Sequence, residues 1–169
     1  PPSRPSMLPK ADGLIESATV SEAQAHTEMP IILPTDLLGS EPYVIGTYTR
    51  DTGTLPAGSV IIDTVRNGHR FVEIAERPST TLADVVNDYA VNATLPTNLE
   101  KTVGSMLFLP SKHTGCVSSD EKWGLPGYCE ITTVLLFESN GVVFSIGADA
   151  SYATEGELIL MAKDILTQE

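Results

Sequence analysis

The chain has 169 residues, with 10 Lys and Arg against 22 Asp and Glu, a net charge of −12 and 41% hydrophobic residues. That length and apolar fraction suit one domain with its own core, whereas a pI near 4.5 opposes the attraction to nucleic acid or anionic lipid that clustered Lys and Arg provide. No run approaches the roughly 18 apolar residues of a membrane-spanning helix, and the acidity is spread along the whole chain, which reads as a solvated surface and not as a cation-binding face.

The first nine residues include Pro1, Pro2, Pro5 and Pro9. This is linker composition, so residues 1–18 are expected to be a Pro-rich linker behind an upstream anchor, and residues 19–169 one globular domain. Ser21 with Gln24 three residues on makes a capping-box pattern for a short helix over residues 21–27, stopped by Pro30. Ile31, Ile32 and Leu33 read as a buried strand or extended segment closed by Pro34, and the β-branched and aromatic run from Tyr43 to Thr49 as a strand. Two apolar stretches, 59–66 and 69–75, flank Asn67-Gly68. That pair tolerates positive φ at both central positions of a type I′ turn, so a hairpin is predicted; Phe71 and Val72 are adjacent on its second strand, but His69, Phe71 and Glu73 against Arg70, Val72 and Ile74 give a usable inside-outside alternation. Leu82, Val85, Val86 and Tyr89 recur at helical spacing, the stripe of an amphipathic helix. A strand over 105–109 should end at Pro110, and a second hairpin should join 131–138 to 142–147 across Asn140-Gly141. Thr154 and Glu157 cap a last helix, whose apolar stripe is Leu158, Met161, Ala162, Ile165 and Leu166. The short connections favour antiparallel pairing, so the expected fold is α+β, an antiparallel sheet of β-hairpins with two or three helices packed on one face.

Cys116 and Cys129 are the only cysteines, separated by a turn-rich stretch. Their spacing does not match the Cys-x-x-Cys of zinc knuckles or redox pairs, and a disulfide between them is the better reading. Closing a loop of about 15 residues contributes on the order of 3 kcal/mol in the chain-entropy model, and implies an oxidising, non-cytosolic compartment. Inside this loop Trp123, the single tryptophan, lies near Leu125 and Tyr128 among glycines and a proline. Aromatic side chains on a stapled loop make a rigid surface for a partner.

The nucleotide-binding glycine motifs, the nucleophile elbow, the His-Glu-x-x-His zinc motif and the EF-hand loop are missing from the sequence. His26, His69 and His113 fall in three different segments, and Glu155 and Glu157 sit where a helix dipole attracts negative charge. Asp120-Glu121 lies in the cysteine loop, and Asn92-Ala93-Thr94 matches a glycosylation sequon. No catalytic residue, metal site or cofactor is therefore expected.

Two stretches carry a resemblance: the opening, Ser21-Glu22-Ala23-Gln24-Ala25 with residues 29–39 from Met29-Pro30 to Leu38-Gly39, and the close, Gly141 to Gly147 followed by Glu157 to Leu166. Both resemble a bacterial extracytoplasmic domain family of unknown function, found in anti-sigma-factor-like membrane proteins and putative lipoproteins. Leu38-Gly39 stands where that family has a second Pro-Gly, and the cysteine loop is a local addition. The resemblance implies an exported sensory or binding module in the cell envelope, without catalytic residues to carry over. The function expected is accordingly non-catalytic binding of a protein or envelope ligand by an anchored extracytoplasmic domain, with no nucleic acid and no membrane insertion of the domain itself. The alternative is a carrier that holds an apolar small molecule between sheet and helices.

Overall fold

A computed structural model of the chain describes residues 13–52, 55–92, 101–117 and 128–168, with the backbone alone for 89–92, 101, 109–117 and 128–132. Its strands are β1 (Leu14–Ser17), β2 (Glu41–Tyr48), β3 (Val60–Arg66), β4 (His69–Arg77), β5 (Lys101–Val103), β6 (Met106–Val117), β7 (Tyr128–Ser139) and β8 (Val142–Asp149). Its helices are α1 (Val20–Gln24), α2 (Leu82–Asn92) and α3 (Glu155–Leu166). None is long and apolar enough to cross a membrane.

All eight strands form one antiparallel sheet in the order β1-β2-β3-β4-β8-β7-β6-β5, so the fold is α+β as the patterning implies. Both Asn-Gly pairs turn as expected: Asn67 and Gly68 have φ of 52° and 76°, Asn140 and Gly141 50° and 75°. Each joins neighbouring strands through two residues, because the I′ twist matches that of the strands it connects.

The adjacent apolar residues of β4 are accommodated by a bulge. Between the rungs Asp63↔Glu73 and Val65↔Arg70, β4 has one residue more than β3, and Phe71 and Val72 are both buried in the same core. The Thr64 hydroxyl, opposite this bulge, accepts from Val72 N and donates to Val72 O at 3.1 Å. It supplies the pairing that the extra residue takes away.

Successive residues of β7 face opposite sides, and the helices divide accordingly. Leu135 and Phe137 face α3, whose Leu158, Met161, Ala162 and Ile165 are buried against the sheet in one cluster with Ala23 of α1. Val134 and Leu136, on the other side, pack with Val85 of α2. Two helices thus share one face, and α2 covers part of the opposite one. Burying each large side chain of the α3 stripe contributes roughly 1.5–3 kcal/mol.

Several elements differ from their sequence expectations, each for a local reason. Leu14–Ser17, inside the expected linker of residues 1–18, is strand β1 paired with β2; Gly46 leaves room for the Leu14 side chain, which would lie 2.7 Å from a Cβ there. The capping box of α1 is Thr19 with Glu22, not Ser21 with Gln24. Gln24 instead holds the following segment, donating to Thr27 O and Met29 O and accepting from Ile31 N. Ile31 to Leu33 lie half-buried on the α3 side of the sheet and do not form a strand of it. Pro110 does not end its strand: β6 continues to Val117, because Pro110 lies in a bulge between Leu109↔Val134 and Lys112↔Thr132, where its missing N–H costs no ladder bond.

Replacing Thr64 by Val keeps the shape but leaves the Val72 N–H without its partner. It should lower unfolding free energy by about 1–3 kcal/mol, measured by urea denaturation.

Candidate functional site

Strand β7 pairs with β8 from Ser139 down to Thr132, opposite Asp149. Below that rung the ladder to β8 ends, yet β7 continues to Tyr128 beside β6, through His113↔Ile131, Gly115↔Glu130, Cys116↔Cys129 and Val117↔Tyr128. On its other side β6 is paired with β5 only from Met106 to Phe108. Residues 113–117 and 128–131 therefore form a two-stranded arm extending past the sheet. Two bulges in β6, at 110–111 and at 114, add twist to the arm, and together with Pro110 and Lys112 they are devices that discourage edge-to-edge association.

Of the expected site residues, Cys116, Cys129 and Tyr128 fall on this arm. Cys116 and Cys129 are direct cross-strand partners, a placement the loop reading lacked: the stretch around them is the end of a ladder, and only 118–127 joins its strands. Tyr128 occupies the last rung, opposite Val117. Trp123 and Leu125, with Asp120 and Glu121, lie outside the described residues, as do Ala93 and Thr94 of the sequon. Of the histidines, His26 follows α1, His113 is on the arm and His69 opens β4. Among the described residues no three His, Cys, Asp or Glu side chains gather as metal ligands.

The arm leaves the sheet at the end where Val72 pairs with Ala148 and the β3–β4 hairpin meets the start of α3. That end is organised by Arg66, a residue the sequence reading passed over. Its guanidinium lies 3.6 Å from the centroid of the Phe71 ring and donates to Glu157 Oε2 at 2.7 Å, Leu38 O at 3.1 Å and Tyr152 O at 2.8 Å. One planar fork thereby ties the hairpin to α3, to the segment before β2 and to the turn after β8. Beside it His69 stacks on Tyr152, with centroids 4.5 Å apart, and Tyr152 remains 37% exposed. Glu157 also completes the capping box with Thr154. The Arg66 hydrogen bond holds its carboxyl below the ordinary range, so this pair stabilises the fold at neutral pH and is lost as pH falls.

A second acidic grouping lies on the α2 side of the sheet, where half-buried Asp63 stands directly opposite exposed Glu73. Burial, and then the Glu73 carboxylate, hold Asp63 well above the usual carboxylate range; Glu16 adds to this and Arg70 opposes it. Like charges on one rung destabilise a sheet, so the pair costs stability at neutral pH.

Comparison of the chain with family models, with curated proteins and with solved structures returns no match.

Arg66→Ala should lower unfolding free energy by about 1–2 kcal/mol, because the Leu38 and Tyr152 carbonyls and Glu157 lose a charged donor in a partly solvated place. Arg66→Lys should recover less than half of that, since a point charge cannot serve the three acceptors together; thermal denaturation of both variants measures the difference. Asp63→Asn should raise Tm at pH 7 by about 2–4 °C, the equivalent of roughly 1 kcal/mol for a domain of this size. The raised carboxyl binds its proton more tightly folded than unfolded, so wild-type stability falls as pH climbs above the ordinary Asp value. The advantage of the variant should therefore vanish near pH 3, as a pair of calorimetric scans would record.

Proposed function

We propose that this chain is a non-catalytic extracytoplasmic binding module of an envelope-anchored protein, whose contact surface is the end of the β6–β7 arm with Trp123, Leu125 and Tyr128. The observation that carries this reading is the Cys116↔Cys129 rung on an arm that extends past the sheet. Directly opposed residues of antiparallel strands have Cα atoms about 4.5–5.5 Å apart, inside the 4.4–6.8 Å range of disulfides. A Cys116–Cys129 disulfide is thus compatible with the backbone register and would brace the arm next to its aromatic end. A two-stranded ribbon is marginally stable by itself, so a covalent rung is physically reasonable there. The resemblance of the two ends of the chain to an envelope domain family supports the same compartment. The carrier alternative is less favoured, because Leu158, Met161, Ala162 and Ile165 of α3 meet the sheet with 0–1% exposure and the same space would have to hold its ligand.

The disulfide is tested by mass spectrometry of protein purified without reductant: alkylation should add nothing before reduction and two groups after it. Uptake of two groups at the outset would remove the oxidised-compartment argument. For the surface, the immobilised domain should retain a component of the envelope fraction that the doubly substituted Trp123→Ala, Tyr128→Ala domain does not retain. Equal retention by both, at unchanged Tm, would place binding elsewhere.

A further inference from the structure

Between α1 and β2, residues 26–40 form a strap across the α3 side of the sheet, covering core with Met29, Ile31, Ile32, Leu33, Leu37 and Leu38. Its ends are held by groups near the surface: Thr27 Oγ1 donates to Gly58 O, and Thr35 Oγ1 and Asp36 N donate to the Asp164 carboxylate. Gln168 Nε2 donates to Leu33 O at 2.7 Å. Its middle is held differently. Ile32 N donates to Oε1 of Glu76 at 2.9 Å. Glu76 is on β4 with 0% exposure, flanked on the neighbouring strands by apolar Val60 and Phe144, and its Oε2 has no hydrogen-bond partner among the described residues. An acid in such a place is neutral, because an unpaired buried carboxylate costs far more than a buried carboxyl group.

We propose that Glu76 is a proton-dependent latch: its neutral carboxyl keeps the strap on the sheet, and lifting of the strap is coupled to release of that proton to water. The balance is simple. In the closed state the O–H bond stays intact, and in the open state water solvates the carboxylate and the proton leaves to buffer. Burial is the larger influence on the closed state and raises the carboxyl to about 8, against which the Ile32 N–H pulls weakly. The charged groups on the elements packed over this face are Glu22 and His26 of α1 and its end, Glu28 and Asp36 of the strap, and Glu155, Glu157, Lys163 and Asp164 of α3. Glu22 is engaged in the α1 cap and Asp164 in holding Thr35 and Asp36. Neither they nor the others displace the Glu76 carboxyl, whose causes are burial and Ile32 alone.

Opening should therefore grow with pH only between the ordinary Glu value and about 8, about tenfold for each unit and then level off. Hydrogen exchange of backbone amides, corrected for the intrinsic pH dependence of exchange, reads this directly. In the wild type the Ile32 and Leu33 amides should lose protection about tenfold per unit from pH 5 to 8, through an opening insensitive to low urea, whereas amides of β4 and β8 exchange by a urea-sensitive one. Glu76→Gln, which keeps the acceptor for Ile32, should abolish the pH slope of the strap amides. Glu76→Leu, which suits the apolar surroundings but has no acceptor, should leave them weakly protected at every pH. The latch is overturned if the glutamine variant keeps the wild-type slope, or if strap and β8 amides share one urea-sensitive opening.

Discussion

The β4–β8 ladder is the interaction on which the rest of the structure depends. Strands β1 to β4 follow one another as a meander and β5 to β8 as another, and among the described residues the only strand pairing between the two is β4 with β8. Hairpin turns fix each meander locally, but this junction closes a loop of the chain that contains α2 and three strands, a non-local contact whose entropy cost must be met by burial. Its rungs are chosen accordingly: Ile74 meets Ile146 and Val72 meets Ala148, with Ile74 and Ile146 at 0% exposure. Glu76 sits on the same ladder, opposite Phe144. The most buried carboxyl of the described residues is thus on the strand that can least afford to move.

From that junction follows the problem of covering the sheet. A sheet of eight strands presents more apolar surface than three helices can hide, two of them having 5 and 12 residues on the same side. The strap fills the space between α1 and α3, and since it lacks the regular hydrogen bonds of helix or strand, its backbone groups must find side-chain partners. Gln24, Glu76, Arg66 and Gln168 each supply one. This explains why polar residues occur at positions that periodicity alone assigns to a helix face or a buried strand. They serve a neighbour with no secondary structure of its own.

The same distinction decides what the sequence discloses. Hairpins around Asn67-Gly68 and Asn140-Gly141 are legible, because the turn chemistry and the alternation are both local. So are α2 and α3, whose stripes at helical spacing meet the sheet, through Leu82, Val85 and Val86 of α2 and through Leu158, Met161, Ala162, Ile165 and Leu166 of α3. Elements that depend on distant residues are not. Leu14–Ser17 has too few residues to show a strand pattern and becomes one through β2, and β6 passes Pro110 because β7 tolerates the extra residue opposite it. The bulge that puts Phe71 and Val72 in one core is hidden by an alternation that reads as regular along β4, and what completes it is the hydroxyl of Thr64 on another strand. At the candidate site, the pairing of Cys116 with Cys129 is a matter of register, which spacing alone does not define, and Arg66 gives no signal beyond being a charged residue beside a turn.

Charge shows how far context changes the meaning of a residue type. Taken together, the 22 acidic side chains outnumber the 10 basic ones and give the chain its net charge of −12. Taken singly, three of them behave in three ways. Glu157 is stabilised as an anion by Arg66 and by its place at the start of α3. Asp63 is set against a second carboxylate on the same rung and loses by it. Glu76, deprived of water and of any counter-charge, is kept neutral and acts as a hydrogen-bond acceptor in the core. Since only the last two bind protons more tightly in the folded state, they oppose Glu157 in the pH dependence of stability. The net acidity of the chain therefore does not determine its response to pH. Individual environments such as these three do, and each is created by contacts between segments that the fold brings together.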